Sequence, residues 1–368
     1  MNSLPSTMSA VHLCGHGGFD QLEYRTDVPV PQPGPDEVLV QVGAAGINNT
    51  DINTRIGWYS KAITSGTDAG GDGGYADDVN ADGGWAGEGL QFPRIQGADA
   101  AGHVVAAGND VSQERIGERV LVRTMQTAYA GDDPTSCITI GSEIDGGFAQ
   151  FCLVKSEEAF PIETELTDVE LASFPCAYST AEGVLHRVGL AAGETVLITG
   201  ASGGVGSAAI QLAKRRGATV IAMASESKWD ALRGLGADQL IDRNTDLVAA
   251  LGENSVDVVA DVVAGPVWPS LLQVLRRQGR YVTAGAIAGP IVELDVRTLY
   301  LKDLTLMGCT FQPRVVFENL VGYIERGEIR PIVAATYPLS DIVTAQKDFL
   351  EKQFAGKLVL VPPPVEGS

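Results

Sequence analysis

The stretch Thr195-Val-Leu-Ile-Thr-Gly-Ala-Ser-Gly-Gly-Val-Gly206 runs an apolar segment straight into a glycine-rich turn. Thr195–Thr199 has the length and β-branched content of a buried strand, and Ser207–Arg216 has the apolar spacing of a helix. Between them, Ala201-x-Gly203-x-x-Gly206 is a dinucleotide fingerprint with alanine at its first glycine position. Gly203 lets backbone N–H groups approach a pyrophosphate, and Gly206 lets the helix close on the strand. The helix N-terminus adds unpaired donors and a partial positive charge. Ala201, Ser202, Gly203, Gly204, Val205 and Gly206 therefore form the expected phosphate cradle.

The same rhythm continues downstream. Strands at Thr219–Ala224, Gln239–Ile241, Asp257–Val263 and Arg280–Ala284 alternate with helices at Ser227–Leu235, Asp246–Leu251 and Val267–Gln278. Near-continuous apolar strands separated by helices predict an α/β unit, a doubly wound parallel sheet covered on both faces. The second strand ends at Ala224, where a site selective for NAD places a carboxylate on the ribose hydroxyls. Here Ser225, Lys228 and Arg243 follow instead. A hydroxyl and two cations suit a 2′-phosphate, each charge-assisted hydrogen bond contributing about 1.5–3 kcal/mol. The cofactor expected is NADPH.

Upstream, the proline-stiffened connector Val28–Pro35 leads into strands at Glu37–Val42, Gly102–Ala106, Arg119–Val122 and Ala149–Val154, the pattern of a compact β-rich domain. Between Gly57 and Phe92 the composition changes: Gly66–Gly89 is dominated by glycine and aspartate and has no helical or strand period. Loops of this length are usually covers or solvated segments. Trp58 and Trp85 would give such a cover an aromatic entrance. Asp78-Val-Asn-Ala-Asp-Gly83 matches the first half of a calcium loop, but the twelfth position is Gly89, with Glu88 one residue early. A solvated loop is the reading.

Among 368 residues, 26 Lys and Arg face 46 Asp and Glu, a formal net charge of −20. So acidic a surface repels phosphate backbones and anionic lipids, which speaks against nucleic acid or membrane partners and for a small-molecule substrate. Cys14, Cys137, Cys152, Cys176 and Cys309 are odd in number and widely spaced, as reduced thiols of a cytoplasmic protein would be. No basic and apolar leader precedes them, which agrees with a cytoplasmic location.

The order of parts resembles the medium-chain dehydrogenase/reductase superfamily. The residues that carry the resemblance are Pro29-Val-Pro-Gln-Pro-Gly-Pro-Asp-Glu-Val-Leu-Val40, Gly46-Ile-Asn-Asn-Thr-Asp51, Gly203-Gly-Val-Gly206 and Gly356-Lys-Leu-Val-Leu360. Within the superfamily the chain is most similar to zinc-independent NADPH:quinone oxidoreductases and related enone reductases. The resemblance implies a GroES-like catalytic domain over 1–165 with an insertion at about 60–91, a Rossmann NADP-binding domain over 166–312, and a return to the catalytic domain over 313–368. It also implies a homodimer.

Where the zinc alcohol dehydrogenases of the superfamily carry Cys, His-Glu and Cys, this chain has Asn48, Ala98-Asp99 and Cys176. A catalytic zinc takes three protein ligands of N, S or O type, which Asn48, Ala98 and Cys176 do not supply. The expectation is no metal. Oxidising an alcohol needs an alkoxide, which a metal makes accessible. Reducing a quinone or enone gives a weaker base that hydrogen-bond donors stabilise, a single donor contributing about 3–4 kcal/mol. By resemblance, Asn48 and Tyr59 line the nicotinamide and substrate pocket, Thr50 is a further donor, and Gly308, Cys309 and Phe311 pass close to the nicotinamide ribose. Cys176 reads as an apolar filler and His103 as a structural histidine. The expected activity is hydride transfer from NADPH to a quinone or an α,β-unsaturated carbonyl compound. Its competitors are a zinc-type alcohol dehydrogenase with a degenerate site and a catalytically idle NADPH-binding sensor or structural protein.

Overall fold

The computed structural model describes residues 4–75, 79–130, 133 and 136–365. The β-rich part is built on Glu37–Gly46, which extends the expected strand by four residues and pairs antiparallel with Ala101–Ala107 and Phe151–Lys155. Val38, Leu39 and Val40 are buried consecutively, since both faces of this strand are covered. Outward from it lie Arg119–Val122 and Ala159–Pro161 on one side, and Lys357–Val361 and Val333–Pro338 on the other. A smaller antiparallel sheet of Leu22–Pro29, Thr7–Leu13 and Arg94–Ile95 packs on the same core.

The second part is a parallel sheet of six strands in the spatial order Gln239–Ile241, Thr219–Met223, Thr195–Ile198, Val256–Asp261, Leu275–Thr283, Thr305–Gly308. The strand order reverses at Thr195–Ile198, so the crevice at its C-terminal end is where such a sheet takes a ligand. Val196, Leu197 and Ile198 are all buried, consistent with helices on both faces.

One expectation needs correcting. Helix Trp268–Val274 stops short of the predicted Gln278, because Leu275 enters the sheet beside Val256 and buries its side chain there. Helix Arg314–Glu325 packs on helix Pro175–Arg187, its Phe317 also meets Phe160 of the β-rich part (4.9 Å), and the chain runs on into the β-rich sheet at Val333–Pro338.

The two domains share an ionic seam. Arg123 and Glu158, 1% and 0% exposed, form an ion pair at 3.0 Å. The same guanidinium donates to the Gln312 carbonyl (2.6 Å) across the domain boundary.

Candidate active site

The glycine-rich turn folds as its sequence dictates. Strand Thr195–Ile198 ends in a turn through Gly200, whose φ of +56° suits glycine. Gly203 is extended and caps helix Gly204–Arg215, which begins three residues earlier than the apolar pattern shows. The N–H groups of Gly204, Val205 and Gly206 therefore have no acceptor within the helix. A Cβ on Gly203 would meet only the Gly200 carbonyl at 3.5 Å, so that side is open. A Cβ on Gly206 would strike Gly200 O at 2.3 Å and Ala201 Cα at 2.5 Å, so this glycine closes the helix on the turn. Ala201 is buried, its N–H bound to Met223 O (3.2 Å), and Ser202 O accepts from Gly356 N–H (3.0 Å).

Ser225 and Arg243 each lie two residues beyond the ends of adjacent parallel strands, where Met223 is in register with Ile241. Lys228 closes a 3-10 turn back on Ser225. The sheet thus gathers all three at one corner of its C-terminal edge, and among the described residues neither cation is spent in an ion pair. Gly308 ends the outer strand on the same edge with open space where a Cβ would be, and Cys309 N–H bonds to Thr283 O (2.8 Å). Phe311 follows, its carbonyl accepting from Arg187.

Opposite this edge, helix Asn49–Ile56 begins at the end of strand Glu37–Gly46 with Asn48 as its N-cap. The Asn48 amide is fully committed: Nδ2 donates to Asp99 Oδ2 (2.7 Å) and Gly46 O (3.3 Å), while Oδ1 accepts from Lys357 Nζ (2.6 Å). The ammonium and the carboxylate fix which end is which, since a flipped amide would face both with the wrong partner. Lys357 also donates to Ile47 O (2.8 Å) and Asp99 Oδ2 (2.9 Å), so its three donors are used. The other Asp99 oxygen accepts from Cys176 N–H (2.6 Å). Asp51 accepts from the N–H groups of Asn48 (2.7 Å) and Ala98 (3.2 Å). Burial, with the Asp99 charge adding to it, lifts the Asp51 carboxyl to about 7 against these two hydrogen bonds and the Lys357 charge. Burial and Asp99 likewise raise the Cys176 thiol, which keeps it protonated.

Beside this cluster lies a hydroxyl pair. Tyr59 OH donates to Thr50 Oγ1 (2.8 Å), which leaves the Thr50 hydrogen to point elsewhere. Burial raises the Tyr59 phenol, so it stays a donor at any working pH. Trp85 stacks parallel to Tyr59 at 6.4 Å and Trp58 meets it edge-on at 5.8 Å.

This donor set does not fit a catalytic zinc. Ala98 offers no ligand atom, the Asn48 oxygen faces an ammonium, and the Cys176 thiol is disfavoured as thiolate. Among the described residues no three His, Cys, Asp or Glu are grouped to hold a metal ion. Of the calcium-like run, Asp78 lies outside the described residues, and Asp82 accepts from Lys61 N–H (2.9 Å). His103 is exposed on its strand. Sequence reasoning passed over Lys357, yet a single cation inside the apolar strand Lys357–Val361 signals a buried carboxylate partner.

The chain belongs to the medium-chain dehydrogenase/reductase superfamily. The family model for the alcohol dehydrogenase GroES-like domain matches residues 34–164, and that for the zinc-binding dehydrogenase matches 204–326. A crystal structure from Sinorhizobium meliloti 1021, provisionally an alcohol dehydrogenase, is 47% identical, with a TM-score of 0.89 and 99% of each chain covered. The quinone oxidoreductase of Lama guanicoe is 27% identical over 96% of this chain and 97% of its own. The structure of the 2-octenoyl-CoA carboxylase reductase CinF with NADP and 2-octenoyl-CoA is 25% identical, with a TM-score of 0.80 over 99% of this chain and 90% of that one. The protein is an oxidoreductase of this superfamily, in its quinone oxidoreductase-like branch.

Proposed function

We propose that the protein is an NADPH-dependent reductase of quinones or α,β-unsaturated carbonyl compounds that works without a catalytic metal. The observation that carries this reading is the Lys357 ammonium bound between Asn48 and Asp99, where related dehydrogenases of the superfamily would build a metal site. Gly203, Gly204, Val205 and Gly206 would hold the pyrophosphate, and Ser225, Lys228 and Arg243 the 2′-phosphate. The nicotinamide, when bound, supplies hydride to an electrophilic carbon. The chain's own part is to orient the substrate and to meet the negative charge that develops on its oxygen. Thr50, its hydroxyl oriented by Tyr59, donates there. Asn48, with both amide hydrogens committed, acts as a positioning residue that sets the start of helix Asn49–Ile56. Bulk water returns the final proton.

A substrate panel with NADPH and NADH, followed at the nicotinamide absorbance, tests the activity; a chain that oxidises neither coenzyme with any quinone or enone is not this enzyme. Replacing Lys228 and Arg243 together by Ala should weaken NADPH binding by about a hundredfold and leave NADH nearly unchanged. Equal losses for both coenzymes would refute the phosphate assignment. The competing reading, an alcohol dehydrogenase, draws on the 47% identical relative. Alcohol oxidation that needs added zinc would establish it instead.

We also infer that two copies pair along the outer strand Thr305–Gly308. This strand is an unpaired sheet edge, and Ile291, Val296, Tyr300 and Leu301 beside it expose 59–69% of their surface. Apolar exposure next to an open edge is characteristic of an interface. Among the described residues no helix is long and apolar enough to cross a membrane.

A further inference from the structure

The fingerprint Ala201-x-Gly203-x-x-Gly206 accounts for two of its glycines and leaves Gly204 without a reason. A Cβ on Gly203 would face open space, but a Cβ on Gly204 would lie 3.0 Å from Lys357 Cδ and 3.2 Å from Ala177 Cβ. Gly46 mirrors it from the other domain, where a Cβ would lie 3.0 Å from Lys357 Cε. The Lys357 stem therefore runs in a slot between two bare glycines. One ends strand Glu37–Gly46 and the other begins helix Gly204–Arg215.

Both ends of the stem are fixed. At its tip, Nζ donates to Ile47 O (2.8 Å), Asn48 Oδ1 (2.6 Å) and Asp99 Oδ2 (2.9 Å), which uses every hydrogen of the ammonium. At its base, the neighbouring Gly356 N–H donates to Ser202 O (3.0 Å) in the glycine turn. The side chain is 3% exposed, and swinging it aside would leave a buried charge unpaired. One residue thus joins the starts of two helices: at Asn48, the N-cap of helix Asn49–Ile56 that carries Thr50, and at Gly204.

We propose that Lys357 is a positioning residue, a strut that keeps the substrate-orienting helix in register with the coenzyme-binding helix, and that Gly204 is glycine in order to seat it. The inference rests on the reading that Thr50 meets the substrate and that the N–H groups of Gly203–Gly206 meet the pyrophosphate. On that reading the spacing of the two helix starts sets how the hydride donor faces the acceptor carbon, and a misplacement of about 1 Å costs about a hundredfold in rate. A methyl group on Gly204 keeps the N–H that a phosphate would use, while it presses on a stem whose tip is tied. The effect of that methyl should fall on the reaction and not on coenzyme affinity.

The test uses the whole enzyme with NADPH and the quinone or enone that the parent reduces fastest. Gly204→Ala should lower the single-turnover rate of NADPH oxidation about tenfold or more, while its NADPH dissociation constant, read by calorimetry, stays within about threefold of the parent's. Lys357→Ala removes the stem, so adding Gly204→Ala to it should change the rate by less than about twofold, the non-additivity of two residues in contact. If Lys357→Ala does not fold, the split between rate and affinity in Gly204→Ala decides alone. A Gly204→Ala enzyme at the parental rate, or one whose loss lies in NADPH affinity, overturns the strut and leaves the reductase assignment standing. A full further loss in the Lys357→Ala background does the same. A parent that oxidises NADPH with no quinone and no enone overturns the reductase assignment and this inference with it.

Discussion

Lys357 shows what one residue does in this fold. Its ammonium is buried and binds a carboxylate and two further oxygens drawn from the first half of the chain. Removing one partner of a buried ion pair leaves the other charge uncompensated, at a cost of about 3–5 kcal/mol. Lys357→Met should therefore destabilise the protein by that amount in denaturant unfolding. Thr50→Val removes the donor assigned to the substrate oxygen and should lower kcat about a hundredfold with quinone, while the loss of the acceptor for Tyr59 OH costs about 1–3 kcal/mol of stability. Asp51 gives a pH signature. Its folded carboxyl titrates near 7 against a reference of 3.8, so the folded state holds a proton that the unfolded chain has lost. The stability this group contributes is complete below pH 3.8 and declines as pH rises toward 7. Asp51→Asn should flatten the stability profile across that window, as read by thermal melts at a series of pH values. Little of this was legible in the sequence. Asn48 and Thr50 stand in a recognisable motif, but the amide of Asn48 is turned inward by Lys357, a partner 309 positions away, and no local pattern reports such a contact.

Elements were easier to read, since their signals are local. Strand Thr195–Ile198 and the helix after the glycine turn follow from period and turn chemistry alone. The helix begins at Gly204 and not at the first apolar position, because the extended Gly203 caps it there and glycines carry no apolar signal. Gly206 sets the fit between helix and turn, and the atoms a Cβ would strike are backbone. Gly206→Ala should abolish measurable NADPH binding in calorimetry while the protein remains folded by circular dichroism; retained affinity would show that the turn has slack. The glycine-rich insertion was legible only as an absence of period. Its ordering depends on contacts with Ser142, Glu143, Ile287 and Lys352, all distant in the chain.

At the scale of the molecule, motif order already gives a GroES-like part and a parallel-sheet part, as the family models match them. Helix Arg314–Glu325 is amphipathic and its apolar face is shared, on helix Pro175–Arg187 and through Phe317 on Phe160 of the β-rich part, which no local pattern reports. Pairing of copies along Thr305–Gly308 predicts that Tyr300→Glu with Leu301→Glu converts a dimer into monomers, as measured by light scattering on a sizing column. A monomeric parent would refute the interface.

The seam at Arg123 has a mechanical meaning. A buried guanidinium held by Glu158, Thr127 Oγ1 and the Gln312 carbonyl leaves a buried charge unpaired if it moves away, so the two lobes are tied at that point. Gly356 N–H on Ser202 O and Thr67 N–H on Ile287 O add two further ties, so the lobes are stitched at separate points and opening the crevice at one of them strains the others.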